Sequence, residues 1–333
     1  YMETRKVQVT GGSTYTVSLP KEWATANDVS SGTNVEFHSE EDLLLLTPQT
    51  DEERTRGTLD ITDLTGENEL TRAVMTMYVS GFDVISLETD QMTAEQRRTI
   101  RNATQGLVGL EVIEEMPDNM VLQDLLDSSE LSIENAVTRM RLVSLTMLED
   151  AVEALVSDDD KLADDVKERD DDVDRLWYMV SRVFRTVLRN PTAANEIGFA
   201  RETCFDYQSS ARQLERIADH ATKIAELALE VGEIPDSAVE PLRRLHEEAA
   251  TVPETAMDAL LAEDSEEAVE LASEARQHID IVDEMVRNVD EEIHEYDPQV
   301  AQILGLVVDS LSRTADYGTN IAESALQKSA PRP

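Results

Sequence analysis

The sequence predicts a multidomain fold with a small β domain, a small α/β domain and an all-α region of two duplicated three-helix bundles. Strand-like alternation fills residues 3–48, strands and helices alternate over residues 54–128, and long helical periods follow from residue 132. Within the helical region, residues 215–226 recur as residues 312–323, with seven of twelve positions identical at a constant offset of 97 residues. Internal repetition of this kind indicates that one helical unit is present twice.

The β domain is predicted to span residues 2–50. Its strands are predicted at residues 6–9, 13–19, 35–37 and 43–46. Gly11 and Gly12 supply the turn between the first two strands, and a short helix begins near Pro20. Because a unit this small buries its own faces poorly, we expect it to form a homodimer by intertwining with a second chain.

The α/β domain is predicted over residues 54–128. Its elements are strand 57–61, helix 67–79, strand 82–87, helix 93–108, and strands 110–115 and 120–126. Gly106 and Gly109 flank a helix end, so we interpret them as cap and turn residues and not as a phosphate-binding loop.

The helical region divides into two groups of three, residues 132–232 and 236–328. Its six long helices are predicted at residues 133–155, 162–188, 199–229, 238–261, 265–294 and 298–326. The breaks between them are marked by Pro191, Gly232, Pro235 and Pro298. Two antiparallel three-helix bundles are the natural arrangement of such helices.

The chain is strongly acidic: 70 Asp and Glu against 29 Lys and Arg give a formal charge of −41, and only 6 of the basic residues are Lys. Such self-repulsion destabilises a compact fold, but at about 1 M salt the Debye length falls to about 3 Å. We therefore infer a halophilic archaeon as the source. No stretch approaches the ~18 apolar residues of a membrane span and no signal-peptide pattern is present, so we expect a cytoplasmic protein without membrane insertion.

Four acidic residues, Asp170, Asp174, Glu215 and Asp219, are the candidate ligands of a metal site. On a helical wheel of ~100° per residue, Asp219 and Glu226 lie within about 40° of Glu215. On the preceding helix, Asp170 and Asp174 form a second i,i+4 pair, so adjacent helices would bring four carboxylates within reach of one another. Like charges this close repel, and a bound cation is the simplest compensation. Carboxylates suit Mg, Ca or Mn, and iron and zinc also accept them.

Plainer interpretations of these residues stay open. The carboxylates would also form a solvated helix face supported by partners such as Arg216. His220 could add a nitrogen ligand, but its counterpart Tyr317 favours an ordinary polar residue. Cys204, the only cysteine, excludes an intrachain disulfide and fits a core position. Because no Ser-His-Asp, HExxH, Walker or Rossmann pattern occurs, we predict that the protein is not an enzyme.

About 45 amino-terminal residues resemble a known family. The run Thr-Val-Ser-Leu-Pro-Lys-Glu-Trp at residues 16–23, followed by the glycine turn and Leu-Leu-Leu-Leu-Thr-Pro at residues 43–48, is similar to the AbrB/SpoVT swapped-hairpin domain. The resemblance implies dimerisation and promoter binding, with Arg5, Lys6 and Lys21 as the candidate DNA-phosphate contacts. Three basic residues among many acidic ones provide little positive charge for binding DNA phosphates. The alternative that this domain only dimerises, without a DNA role, therefore stays open.

Residues 132–328 resemble the PhoU family of phosphate-uptake regulators, in which Glu/Asp-x-x-x-Asp motifs bind metal, commonly iron or zinc. By position, the first repeat keeps all four acidic residues named above. The second repeat departs from this pattern, since Asp283 and Asp316 match but Ser312 and Ile279 replace the other two acids, with Asp280 as the nearest substitute. A second metal site is therefore a weaker expectation.

The two resemblances together imply a regulator of phosphate uptake or phosphate-responsive signalling. The helical part would communicate with a phosphate transporter or a signalling protein, and the β domain would dimerise and bind DNA. Two alternatives remain: an AbrB-type transcription factor that senses a signal other than phosphate, and a metal-binding or metal-dependent hydrolytic protein.

Overall fold

The computed structural model describes residues 3–40, 43–48, 54–126, 132–190, 193 and 197–331. The chain forms two compact units, Tyr1–Arg54 and Thr55–Pro333. Across the described residues the first unit is a small β structure, and the second joins an α/β domain to six long helices. The predicted fold class is confirmed.

Two antiparallel strand pairs and one short helix are the described elements of the first unit. Strands β1 (Gln8–Thr10) and β2 (Thr14–Thr16) pair across Gly11 and Gly12, whose positive φ angles of 65° and 83° suit glycine. The remaining elements are helix α1 (Lys21–Ala26) and the paired strands β3 (Val35–Glu40) and β4 (Leu43–Pro48). Predicted strand 13–19 is too long, because the ladder with β1 ends at Thr16. Of the described side chains here, only His38 is buried, at 9% exposure.

The α/β domain is a four-stranded sheet with two helices. Its elements are β5 (Arg56–Asp60), α2 (Glu67–Val79), β6 (Val84–Glu88), α3 (Ala94–Gln105), β7 (Leu110–Glu115) and β8 (Asn119–Asp124). The strand order is β5-β6-β8-β7, with β5 and β6 parallel and the other pairs antiparallel. The domain has a separate hydrophobic core, in which Leu70, Val74 and Tyr78 of α2 pack with sheet residues such as Leu122.

The six long helices are α4 (Ile133–Ser157), α5 (Asp160–Arg189), α6 (Arg201–Val231), α7 (Asp236–Leu261), α8 (Ser265–Ile293) and α9 (Pro298–Ser329). Side-chain oxygens of Ser132, Asp159, Asp264 and Asp297 cap four of their amino termini, which explains why those helices begin there. Both bundles share one continuous hydrophobic core, which includes the fully buried Cys204. The predicted break at Pro191 lies outside the described residues.

The two repeats meet about a pseudo-two-fold axis between α6 and α9. His220 and Tyr317 occupy equivalent repeat positions and lie opposite each other, with Nε2 and Oη 3.4 Å apart. On one side of this pair Asn320 donates to Gln213 at 3.2 Å, and on the other Lys223 lies 4.0 Å from Asp309. Contact between equivalent positions of two antiparallel helices supports the predicted duplication.

Helix α7 continues through Pro241 and Pro253, which the sequence pattern had not distinguished from ordinary helix positions. An internal proline removes a helical hydrogen bond and tends to bend the helix. Opposite Pro253, the absence of a side chain at Gly318 allows α9 to approach closely: an added Cβ would lie 2.5 Å from the Pro253 nitrogen. The equivalent position in the first repeat is Ala221.

Candidate metal centre

Helices α5 and α6 bring the four acidic residues of the first repeat together. Asp170 and Asp174 lie one turn apart on α5, and Glu215 and Asp219 lie one turn apart on α6. Their carboxylates act electrostatically on one another: Asp219 acts on both α5 carboxyls, and Asp174 acts on Glu215. We call these four residues the acidic cluster.

Glu215 does not belong to a solvated helix face, because it is buried with 8% exposure. One carboxylate oxygen, Oε1, accepts a hydrogen bond of 2.6 Å from Nη1 of Arg212. The other, Oε2, is buried and has no hydrogen-bond partner in the described part of the chain. A buried carboxylate oxygen without a partner is costly, and a bound cation would remove that cost.

Burial raises the pKa values of all four carboxyls, and repulsion from neighbouring carboxylates raises those of Asp170, Asp174 and Glu215 further. Burial, followed by the charge of Asp170, raises the pKa of Asp174 to about 6. Burial, followed by the charge of Asp219, raises the pKa of Glu215 to about 7. Burial also raises the pKa values of Asp170 and Asp219, while Arg212 and Arg216 oppose this effect at Asp219. A cation would favour the ionised carboxylates and displace their protons.

The donor set fits a hard or borderline metal ion in chemistry and charge, since it consists of carboxylate oxygens and one of them is orphaned. Among the described residues, however, no three His, Cys, Asp or Glu side chains converge closely enough to hold a metal ion. A metal would therefore have to draw these carboxylates closer together than they lie in this structure.

Aromatic and basic side chains flank the acidic cluster. The Oη of Tyr178 lies 3.4 Å from Oδ2 of Asp174 and donates to it. On the other side, the guanidinium of Arg212 lies 5.3 Å from the ring centre of Trp177 while it binds Glu215. Tyr178 was not among the predicted site residues, although it continues the i,i+4 spacing of the two α5 carboxylates.

The predicted residues of the second repeat occupy a different environment. Asp280 and Asp283 are exposed on α8, and Asp316 is exposed on α9. Oδ2 of Asp316 lies 3.3 Å from Nη1 of Arg313, which compensates its charge. Ile279, at the position of Asp170, packs against the hydrophobic core.

The predicted DNA contacts all lie on the surface of the first unit. Arg5 and Lys6 precede β1, and Lys21 begins α1. The guanidinium of Arg5 lies 2.5 Å from the carboxylate of Glu3. This ion pair offsets part of the positive charge that a phosphate backbone would meet.

Comparison with known proteins identifies the class. The family model described as the PhoU domain matches residues 137–228 and 242–325, which together make up more than half of the chain. The protein therefore belongs to the PhoU domain family. A second model, described as the MazE bacterial antitoxin of antidote–toxin recognition, matches residues 8–54, in agreement with the predicted AbrB-like segment.

Named relatives and a solved structure resemble a little more than half of the chain. A protein of Pseudomonas aeruginosa named phosphate-specific transport system accessory protein PhoU homolog is 29% identical over 184 residues, covering 52% of this chain and 72% of the relative. The Pseudomonas putida protein of the same name is also 29% identical and is covered over 68% of its length. The crystal structure of PhoU from Pseudomonas aeruginosa superposes with a TM-score of 0.50 at 26% identity, covering 58% of this chain and 93% of that one. No described helix is both long and apolar enough to cross a membrane.

Proposed function

We propose that this protein regulates phosphate uptake as a PhoU-family accessory protein. The two consecutive PhoU-domain matches carry this proposal, and relatives named as accessories of a phosphate-specific transport system support it. Its partners would be a phosphate transporter or the signalling proteins that respond to phosphate. The helical surface would present the acidic cluster to such a partner.

The proposed cofactor is a metal ion, iron or zinc, held by the acidic cluster of the first repeat. The orphaned Oε2 of Glu215 and the raised pKa values of the neighbouring carboxyls support this assignment. When bound, the ion would supply positive charge that neutralises the cluster. Asp280, Asp283 and Asp316 would bind metal more weakly, because they are solvated and one of them is already paired with Arg313.

The first unit is proposed to form a homodimer. Its described residues expose many apolar side chains: Val7, Val9, Tyr15, Val17, Phe37, Leu43 and Leu44. Exposed apolar surface of this extent is typical of an interaction site, and a second copy of the unit is the partner that would complete a core. Sedimentation of the full chain in multimolar KCl should give a dimer, and Phe37→Asp should shift it towards monomer. A monomeric wild-type chain would contradict the proposal.

DNA binding by this dimer is proposed through Arg5, Lys6 and Lys21, and the MazE-family match supports it. A mobility-shift assay at high salt on the gene's own upstream region would test it. A specific shift that weakens in the Lys6→Ala/Lys21→Ala variant is the expected result. A specific shift combined with transcription of the gene that does not respond to phosphate supply in the cell would favour a transcription factor for another signal. Absence of a shift would favour a dimerisation module without a DNA role.

The regulatory role is tested in the host cell. Deletion of the gene should abolish the decrease in phosphate uptake that normally follows a rise in external phosphate. The wild-type gene should restore that decrease, and the Glu215→Gln/Asp219→Asn variant should not. The matched variant Asp283→Asn/Asp316→Asn, altered in the second repeat, should restore it. An unchanged phosphate response in the deletion strain would contradict the proposed function.

A further inference from the structure

Helix α5 is shared between the acidic cluster and the α/β domain. Arg182, with 5% exposure, anchors this domain. Its Nη1 donates to the carbonyl oxygens of Tyr78 and Phe82 at 2.8 and 3.0 Å. Its Nη2 lies 2.8 Å from Oδ1 of Asp83 and 2.9 Å from Oδ2 of the buried Asp124. The α/β domain is therefore attached to the same helix that carries two of the cluster's carboxylates.

Tyr178 lies between these two regions. It follows Asp174 by one helical turn and precedes Arg182 by another. Its hydroxyl donates to Asp174 at 3.4 Å, while its ring packs against the hydrophobic core of the α/β domain. Among the described residues it is the side chain of α5 that both contacts an acidic-cluster carboxylate and packs against that core.

We propose that the α/β domain responds to cation occupancy of the acidic cluster through Tyr178. This inference rests on the proposed metal centre, for which the buried and unpartnered Oε2 of Glu215 is the independent indication of a ligand. A cation that engages Asp174 changes the acceptor available to the Tyr178 hydroxyl. Because the ring is held in the core of the α/β domain, a change at its hydroxyl alters the packing between that domain and α5.

The coupling has a defined thermodynamic form. A cation shifts the opening of the α/β domain from α5 only by as much as its affinity differs between the docked and undocked states. By linkage, undocking of the domain changes cation affinity by the same factor, typically about 5- to 150-fold for coupled sites. Contact alone does not establish such coupling. The experiment must therefore measure both zinc binding at the acidic cluster and opening of the α/β domain.

The experiment measures amide hydrogen exchange in the full chain, freed of metal by a chelator and then titrated with zinc alone. In the wild type, zinc should change exchange at residues 74–82 and 119–124 by at least about fivefold. Tyr178→Phe keeps the ring but removes the hydroxyl, so it should retain zinc while its exchange response falls below about twofold. Tyr317→Phe is the matched control, because its hydroxyl contacts His220 and not the acidic cluster; it should respond like the wild type.

The outcomes separate this inference from the proposed metal centre. Wild-type protein that binds zinc without any exchange response in the α/β domain would overturn the inference and leave the metal centre intact. A wild-type exchange response in Tyr178→Phe would also overturn it, because the coupling would then not depend on the Tyr178 hydroxyl. Failure of the wild type to bind either zinc or iron would refute the metal centre and the inference together. The wild-type comparison does not depend on the folding of any variant.

Discussion

The acidic faces of the two repeats share a duplicated origin but differ in environment. In the first repeat Glu215 is buried and the neighbouring carboxyls have raised pKa values. In the second repeat Asp280, Asp283 and Asp316 are exposed to solvent. The second repeat therefore keeps only two of the four acidic positions, Asp283 and Asp316, and these lack the burial that is present in the first repeat.

The two repeats also differ in whether the α/β domain packs against their middle helix. The middle helices correspond with an offset of 109 residues, which aligns Tyr178 with Arg287 and Arg182 with Glu291. Tyr178 and Arg182 hold the α/β domain against α5, whereas Arg287 and Glu291 are exposed on α8. The comparison teaches that the middle helix of the first repeat both carries two of the four carboxylates and holds the α/β domain, whereas the exposed middle-helix positions of the second repeat do neither.

The largest expected effect comes from removal of the domain anchor. Arg182→Ala would leave Asp124, whose side chain is 8% exposed, without its ion-pair partner, and loss of one member of a buried ion pair typically costs about 3–5 kcal/mol. Denaturant unfolding at high salt measures this change. The control, Glu291→Ala at the equivalent position of the second repeat, should change the free energy of unfolding by less than about 0.5 kcal/mol. Equal effects of the two substitutions would remove the asymmetry proposed here.

A smaller effect should distinguish the last helices of the repeats. Gly318→Ala places a methyl group against the backbone of Pro253, and overpacking of this kind costs about 1–3 kcal/mol. The reciprocal change, Ala221→Gly, should cost about 1 kcal/mol through helix propensity, with a further contribution from the lost buried methyl. Thermal unfolding of both variants checks this. A stabilised Gly318→Ala protein would show that α7 and α9 do not need the close approach.

The pH dependence of the free energy of unfolding should reflect the buried Glu215 of the first repeat. The pKa of Glu215 is about 7 in the folded chain against an ordinary value of 4.5, so the folded state binds more protons between these pH values. The free energy of unfolding of the metal-free protein therefore decreases as pH rises through that window. Glu215→Gln should flatten this dependence, with a midpoint change of at least about 2 °C at neutral pH. Asp316→Asn should leave the slope unchanged, and a slope unaffected by Glu215→Gln would contradict the assignment.

Sequence patterns predicted most of the fold because helical and strand periods are local properties. The predicted helix 67–79 and strand 110–115 coincide with α2 and β7, and the six long helices differ mainly at their ends. Helical spacing also predicted that the four carboxylates of the first repeat lie as two i,i+4 pairs on adjacent helices. The burial of Glu215 and the role of Tyr178 were not predicted, because both depend on contacts between elements far apart in the chain.

The measurement that tests the central claim most directly is the metal content of the full chain, purified without chelator in multimolar KCl. We expect stoichiometric iron or zinc in the wild type and in Asp283→Asn/Asp316→Asn, and its loss in Glu215→Gln/Asp219→Asn with circular dichroism unchanged. Full metal content in the Glu215→Gln/Asp219→Asn variant, or loss in the second-repeat variant alone, would contradict the claim that the first repeat holds the metal centre.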